Sequence, residues 1–157
     1  MDVSIINRIL NSFTDIMPQL GFTNIKIGEV VLRGKCIESP GVIVIIGIIG
    51  DIQGNIIYSM DGENAKKIAS VMMMGSEIKE FDNIAQSAVS ELINMLTAKA
   101  VTNLSDRGIV ADISTPTLIY GKFIANANKE KVVNVVLEIN GVNIEVNMAL
   151  EIIKENY

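Results

Sequence analysis

"KVVNVVLEINGVNIEVNMALE", residues 131–151, decides how this chain folds. Asn140-Gly141 is the preferred pair for a two-residue type I′ turn, which needs positive φ at both central positions. With the turn there, Ile139 faces Val142, Leu137 faces Ile144 and Val135 faces Val146. Those residues share one side of the hairpin. The other side carries Asn134, Glu138, Asn143, Glu145 and Asn147. One face is therefore expected to be buried and one wet, as in an antiparallel sheet covered by helices on one side. The expected fold class is α+β: an antiparallel β-sheet with helices packed on one face.

The rest of the chain supplies matching parts. "TPTLIYGKFIAN" (115–126) predicts one strand with Pro116 at its entry. "VIVIIGIIG" (42–50) is a short, branched, apolar run, which suits a strand buried on both faces. With "GDIQG" as its turn and "NIIYSM" after it, residues 42–60 form a hairpin. Residues 23–37 are β-rich and partly alternating. Val3, Ile6, Ile9, Leu10, Phe13, Ile16, Met17 and Leu20 repeat at helical spacing, so residues 3–20 form an amphipathic helix that Pro18 and Gly21 end. Asp61 caps a helix over 62–74, with Ala65, Ile68, Ala69 and Met72 inward and Gly75 at its end. The Met72-Met73-Met74 run reads as core packing before it reads as an adaptable binding surface. A long helix spans 83–104 and "SDRG" closes it. The order helix–three strands, then helices–three strands hints at an internal two-fold, without strong identity between the halves.

Composition bounds the function. The chain has 157 residues, 49% apolar and 20% charged, enough for a single domain over 1–157 with a substantial core. A net charge of −5 and the absence of a Lys/Arg run argue against nucleic acid. No histidine is present, which removes Ser-His-Asp and Cys-His schemes and any His-based metal site. The one cysteine, Cys36, fits a reducing compartment and reads as an inert strand residue. "MDVSIINRIL" lacks the basic start of a signal peptide, and residues 42–50 are about half of the ~20 needed to span a bilayer as a helix. The expected setting is cytoplasmic, away from membranes.

The chemistry concentrates in the long helix. On a wheel at about 100° per residue with Leu92 at zero, Ala85, Ala88, Val89, Met95 and Leu96 fall within about 60° and form the expected core side. Ser87, Glu91, Asn94 and Ala98 fall between about 200° and 260°, a stripe turned away from it. Short side chains frame the acid and the amide, whereas a solvating face more typically carries long charged ones. The spacing alone is weak. With 11 Glu and 15 Asn in the chain, about one E-x-x-N match arises by chance. A second match, Glu80 and Asn83, falls at the helix start, where Asp82 and Asn83 suit capping.

The context is more specific. "SELINMLTAKA" (90–100), preceded by "NIAQSAV", resembles the signature helix of the CheC/CheX family of chemotaxis phosphatases. "IMPQLGF" (16–22), "IIGDIQGNIIYSM" (48–60) and "STPTLIYG" (114–121) are similar to the same family, so the likeness runs from about residue 5 to 150. The CheC branch carries two E-x-x-N helices. Here "INRILNSFTDIM" (6–17) has none, so the resemblance is to the CheX branch, with one active helix. The residue after Thr97 is often Gly in such helices and is Ala98 here, which keeps the position small.

The resemblance implies a CheC/CheX-like fold and hydrolysis of the aspartyl-phosphate of a CheY-type response regulator. Asn94 would orient the attacking water and Glu91 would hold a lysine of the regulator, making these the catalytic residues. Ser87 and Ala98 would be partner-binding. The chain would need no cofactor of its own, since the regulator brings Mg²⁺ and its lysine. Proteins of this type are homodimers that join through their sheets. The division of labour is physically sound: an amide donates and accepts hydrogen bonds without adding negative charge beside a phosphoryl group, and a carboxylate suits an ammonium. The competing reading is a non-catalytic binding module or adaptor for a regulator or a flagellar switch component.

Overall fold

The computed structural model describes residues 1–153. The part of the 1–157 domain reading that falls on 154–157 lies outside the described residues. The elements run α1 (Val3–Ile16), a 3₁₀ turn (Met17–Leu20), β1 (Ile25–Glu38), β2 (Gly41–Gly50), β3 (Ile52–Asp61), α2 (Gly62–Met72), α3 (Asn83–Ser105), β4 (Ala111–Ile113), β5 (Thr117–Gly121), β6 (Ile124–Ile139) and β7 (Val142–Ile152).

Among the described residues, the seven strands form one antiparallel sheet in the order β1-β6-β7-β3-β2-β4, with β5 also on β2. The β6–β7 register pairs Val135 with Val146, Leu137 with Ile144 and Ile139 with Val142, as the turn chemistry requires. Asn140 and Gly141 take φ of 50° and 78°, the left-handed values of that turn. Asn140 has a second task. Its Oδ1 accepts from the amides of Thr23 and Asn24, at 3.1 and 2.9 Å, which ties the turn to the entry of β1.

The helices pack on one face. Ile6, Ile9, Leu10 and Phe13 of α1, Ile68 of α2, and Val89, Leu92, Ile93 and Leu96 of α3 share a core with Val44, Ile46, Ile56, Tyr58, Val135, Leu137, Ile144 and Val146. With no Trp and few aromatics, the interior is built mostly from Ile, Val and Leu, whose branched side chains suit the sheet.

The other face departs from the expected wet surface. β6 pairs with β7 only from Val133 onward, but with β1 along both strands' length. This long two-stranded ribbon turns back over the helix-free side. Ile37 and Ala127 of the ribbon pack there on Ile43, Ile57 and Ala149. Asn134 and Asn147 are consequently buried, 1% and 2% exposed, instead of solvated. They satisfy each other: Asn134 Nδ2 donates to Asn147 Oδ1 at 2.8 Å and to Glu145 Oε1 at 2.6 Å. Glu138 and Asn143 stay exposed.

Three further sequence expectations change. "TPTLIYGKFIAN" is two strands, β5 and the start of β6, because the chain bends at Gly121, whose φ of 141° few L-residues adopt. β4, three residues long, is too short to leave a periodic signal. In the methionine run, Met72 packs against the core but Met74, two residues beyond α2 and at a φ of 60°, is 97% exposed.

The topology also clarifies the two-fold order. Each half runs helix, strand, hairpin: α1-β1-β2-β3 and α3-β5-β6-β7. β3 and β7 lie side by side at the centre. β1 pairs with the other half's hairpin through β6, and β5 does the same through β2. Exchanging the halves maps this path onto itself.

Candidate active site

α3 carries the candidate site. Asp82 caps it, its Oδ1 accepting from the Ala85 amide at 2.9 Å. Its buried residues are Ala85, Val89, Leu92, Ile93, Leu96, Thr97, Ala100 and Leu104. On the wheel they cover about 0° to 140° from Leu92, so the buried arc is rotated from the expected one. Ala88 and Met95, expected on the core side, are half-buried at its edge, and Thr97 and Ala100 lie inside it. The rotation sharpens the reading of the stripe. Ser87, Glu91, Asn94 and Ala98 now stand opposite the centre of the buried arc.

A groove of about 480 Å³ runs along this stripe. Ser87, Glu91 and Asn94 line it together. Ala98 does not line it; it is exposed one turn further along. Glu91 is exposed and Asn94 half-buried. Among the described residues, neither side chain has a hydrogen-bond or ion-pair partner. A carboxylate and an amide held side by side on adjacent turns, both unengaged, are free to meet another molecule.

Sequence reasoning missed the opposite wall, formed by Thr115, Pro116 and Leu118. Nothing in local periodicity could have placed it, because it is brought there by β2. Ser114 and Gly47 clasp each other: the Ser114 amide donates to the Gly47 carbonyl at 2.9 Å, and the Gly47 amide donates to Ser114 Oγ at 2.8 Å. Thr117 then pairs with Ile45. Asn83, Gln86 and Ser90 also line the groove. Gln86 is committed elsewhere, donating to the Phe81 carbonyl at 2.9 Å.

Chemically, the groove offers one acceptor of full negative charge, the bifunctional amides of Asn94 and, at its end, Asn83, and small hydroxyls. The chain has no histidine to activate Ser87 or Ser90 as a nucleophile. Among the described residues, no group of three or more His, Cys, Asp or Glu gathers as a metal site. Among them, too, no helix is long and apolar enough to cross a membrane. Glu80 and Asn83, the second E-x-x-N match, flank the Asp82 cap.

Comparison with known proteins gives a consistent result. The family described as chemotaxis phosphatase CheX matches residues 42–140. The CheY-P phosphatase CheX of Thermotoga maritima is 35% identical over 123 residues, covering 78% of this chain and 79% of that protein. In structure, a CheX from Desulfovibrio desulfuricans matches with a TM-score of 0.84 at 22% identity, over 95% of this chain and all of the other. A chain of the CheX–CheY–BeF₃–Mg²⁺ complex of Borrelia burgdorferi matches with a TM-score of 0.73 at 29% identity, over 94% and 96%. With a matched segment that includes α3 and most of the sheet, this chain belongs to the CheX family of chemotaxis phosphatases.

Proposed function

We propose that this chain hydrolyses the aspartyl-phosphate of a phosphorylated CheY-type response regulator, with Glu91 and Asn94 as its catalytic residues. The observation that carries the reading is the open groove in which these two side chains stand together and unengaged. The T. maritima relative, named as a CheY-P phosphatase, supplies the substrate class.

The reaction asks little covalent chemistry of the protein. A water oxygen attacks phosphorus in line with the bond to the aspartyl oxygen. The new P–O bond forms as the old one breaks. The aspartate leaves as a carboxylate and inorganic phosphate is released. Mg²⁺ is supplied by the regulator, as a CheY complex containing Mg²⁺ suggests. Asn94 accepts a hydrogen bond from the water and donates one to the phosphoryl group, which fixes the water in line. Glu91 accepts from a lysine of the regulator and draws the two surfaces into register. Ser87 and Ala98 are small enough for the partner to approach α3 closely. The protein acts in the cytoplasm as one CheX-like domain over 1–157. It acts as a homodimer joined through a sheet edge; β1, an edge strand exposing Val30 and Leu32, is the longer edge available.

The test is to phosphorylate a CheY-type regulator, add Mg²⁺, and follow phosphate loss with and without this protein. Wild type accelerates the decay, and Glu91→Ala raises the concentration needed by about tenfold, the worth of one charge-assisted contact. Unchanged decay with the cognate regulator refutes the phosphatase; if binding persists in that case, the chain is an adaptor.

A further inference from the structure

Tyr58 sits at the centre of β3 with no exposed surface, beneath α3. Its ring tilts against Phe13 of α1, with centroids 6.3 Å apart. Its hydroxyl lies 2.8 Å from Thr97 Oγ1, also fully buried. Thr97 Oγ1 in turn donates to the Ile93 carbonyl at 2.8 Å. A threonine has one hydroxyl proton. Thr97 spends it on Ile93, so the proton between Tyr58 and Thr97 belongs to Tyr58. Burial pushes the Tyr58 phenol well above its ordinary pKa, with the Thr97 contact pulling partly back, so the donor persists at all ordinary pH. The result is a directed chain: Tyr58 O–H to Thr97 Oγ1, Thr97 O–H to Ile93 C=O.

This chain meets α3 at the turn that carries the site. Ile93 immediately precedes Asn94, and Thr97 lies one turn after it. The other buried contacts of this helix are apolar, with Ala85 and Ala100 small, and its hydrogen bonds to α1 run through Asn103, more than two turns beyond Asn94. Apolar contact is non-directional and resists rotation of a smooth helix poorly. A hydrogen bond fixes direction. The lever is long. A turn of about 10° about the helix axis moves a side-chain tip ~6 Å from that axis by ~1 Å. A displacement of about 1 Å can cost an in-line reaction ~10²-fold.

We infer that Tyr58 and Thr97 are positioning residues, whose buried hydrogen-bond chain sets the rotation of α3 and so the aim of Asn94 into its partner. The inference rests on the proposed phosphatase reading for its kinetic test. Tyr58→Phe removes one oxygen and leaves the ring packing. Its kcat on the phosphorylated regulator falls about tenfold or more while KM stays within about twofold, because binding tolerates a small rotation and the in-line attack does not. Thr97→Val behaves alike, Thr97→Ser keeps the hydroxyl and the wild-type kcat, and the Tyr58→Phe/Thr97→Val double variant is no worse than either. Assays run well below each variant's unfolding midpoint, so lost stability does not mimic lost kcat. Wild-type kcat in Tyr58→Phe, or equal losses in Thr97→Ser and Thr97→Val, overturns the inference. If the wild-type chain is inactive on its cognate regulator, the phosphatase reading fails by itself. The rotation is then read from residual dipolar couplings of the α3 amides: altered in Tyr58→Phe and as in wild type in Thr97→Ser if the inference holds, unchanged in Tyr58→Phe if it is wrong.

Discussion

The two halves of this molecule share a scaffold and differ in what they present. Arg8-Ile9-Leu10-Asn11 in α1 and Glu91-Leu92-Ile93-Asn94 in α3 occupy matching places in the internal two-fold. At the same constant offset Ile6, Ile9, Leu10, Phe13 and Met17 correspond to Val89, Leu92, Ile93, Leu96 and Ala100, and all of them are buried. Asn11 is the counterpart of Asn94, and Arg8 that of Glu91. The inner faces agree because the same sheet demands the same apolar spacing. The outer faces part company. Arg8 is engaged: its guanidinium donates to the Asn103 carbonyl at 2.8 Å and lies 4.0 Å from Asp106. Asn103 Nδ2 returns bonds to the Arg8 carbonyl and to Asp15. α1 thus commits Arg8 to the C-terminal end of α3, in a groove of about 490 Å³ that Asn11 also lines, whereas α3 leaves Glu91 unengaged. Core spacing carries the symmetry, and a single charge reversal with its partners breaks it.

If the halves share one scaffold, equivalent core truncations cost alike. Ile9→Ala and Leu92→Ala should each lower unfolding free energy by about 2–5 kcal/mol, measured by denaturant titration. A loss under about 1 kcal/mol in one of them alone would break the equivalence. A smaller effect sharpens the contrast outside the core. Arg8→Glu recreates the acid-and-amide pair on α1, but removes the Asn103 contact and adds a carboxylate near Asp15 and Asp106. It should cost about 1–2 kcal/mol of stability and add no phosphatase turnover, because the groove there is lined by Asp15 and Asp106 and lacks the wall that Thr115, Pro116 and Leu118 give α3. A second active site appearing in Arg8→Glu would show that the charge alone, and not the lining of its groove, silences α1.

What the sequence revealed depended on distance along the chain. The Asn140-Gly141 hairpin was legible to the residue, because turn chemistry and period-2 alternation act within about ten residues. The caps Asp61 and Asp82 were legible for the same reason. Burial of Asn134 and Asn147 was not: their pattern is that of a wet face, and a distant ribbon covers it. The stripe of Ser87, Glu91 and Asn94 could be drawn on a wheel, but the chemical role proposed for it came from resemblance, since the spacing recurs at Glu80 and Asn83. Thr115, Pro116 and Leu118 were out of reach, because they enter the groove only through pairing with β2. Thr97 was overlooked inside a helix whose polar residues were sought on the outside.

The central claim is that a two-fold scaffold carries one working face, on α3. The most direct test compares Asn94→Ala and Asn11→Ala side by side on the same phosphorylated CheY-type regulator with Mg²⁺, with binding measured in parallel. Asn94→Ala should lose about 10²-fold or more of the acceleration while retaining binding, the scale set by removing a group that positions the reacting atoms, and Asn11→Ala should match wild type. Equal losses in both variants, or no loss in Asn94→Ala, would contradict the account.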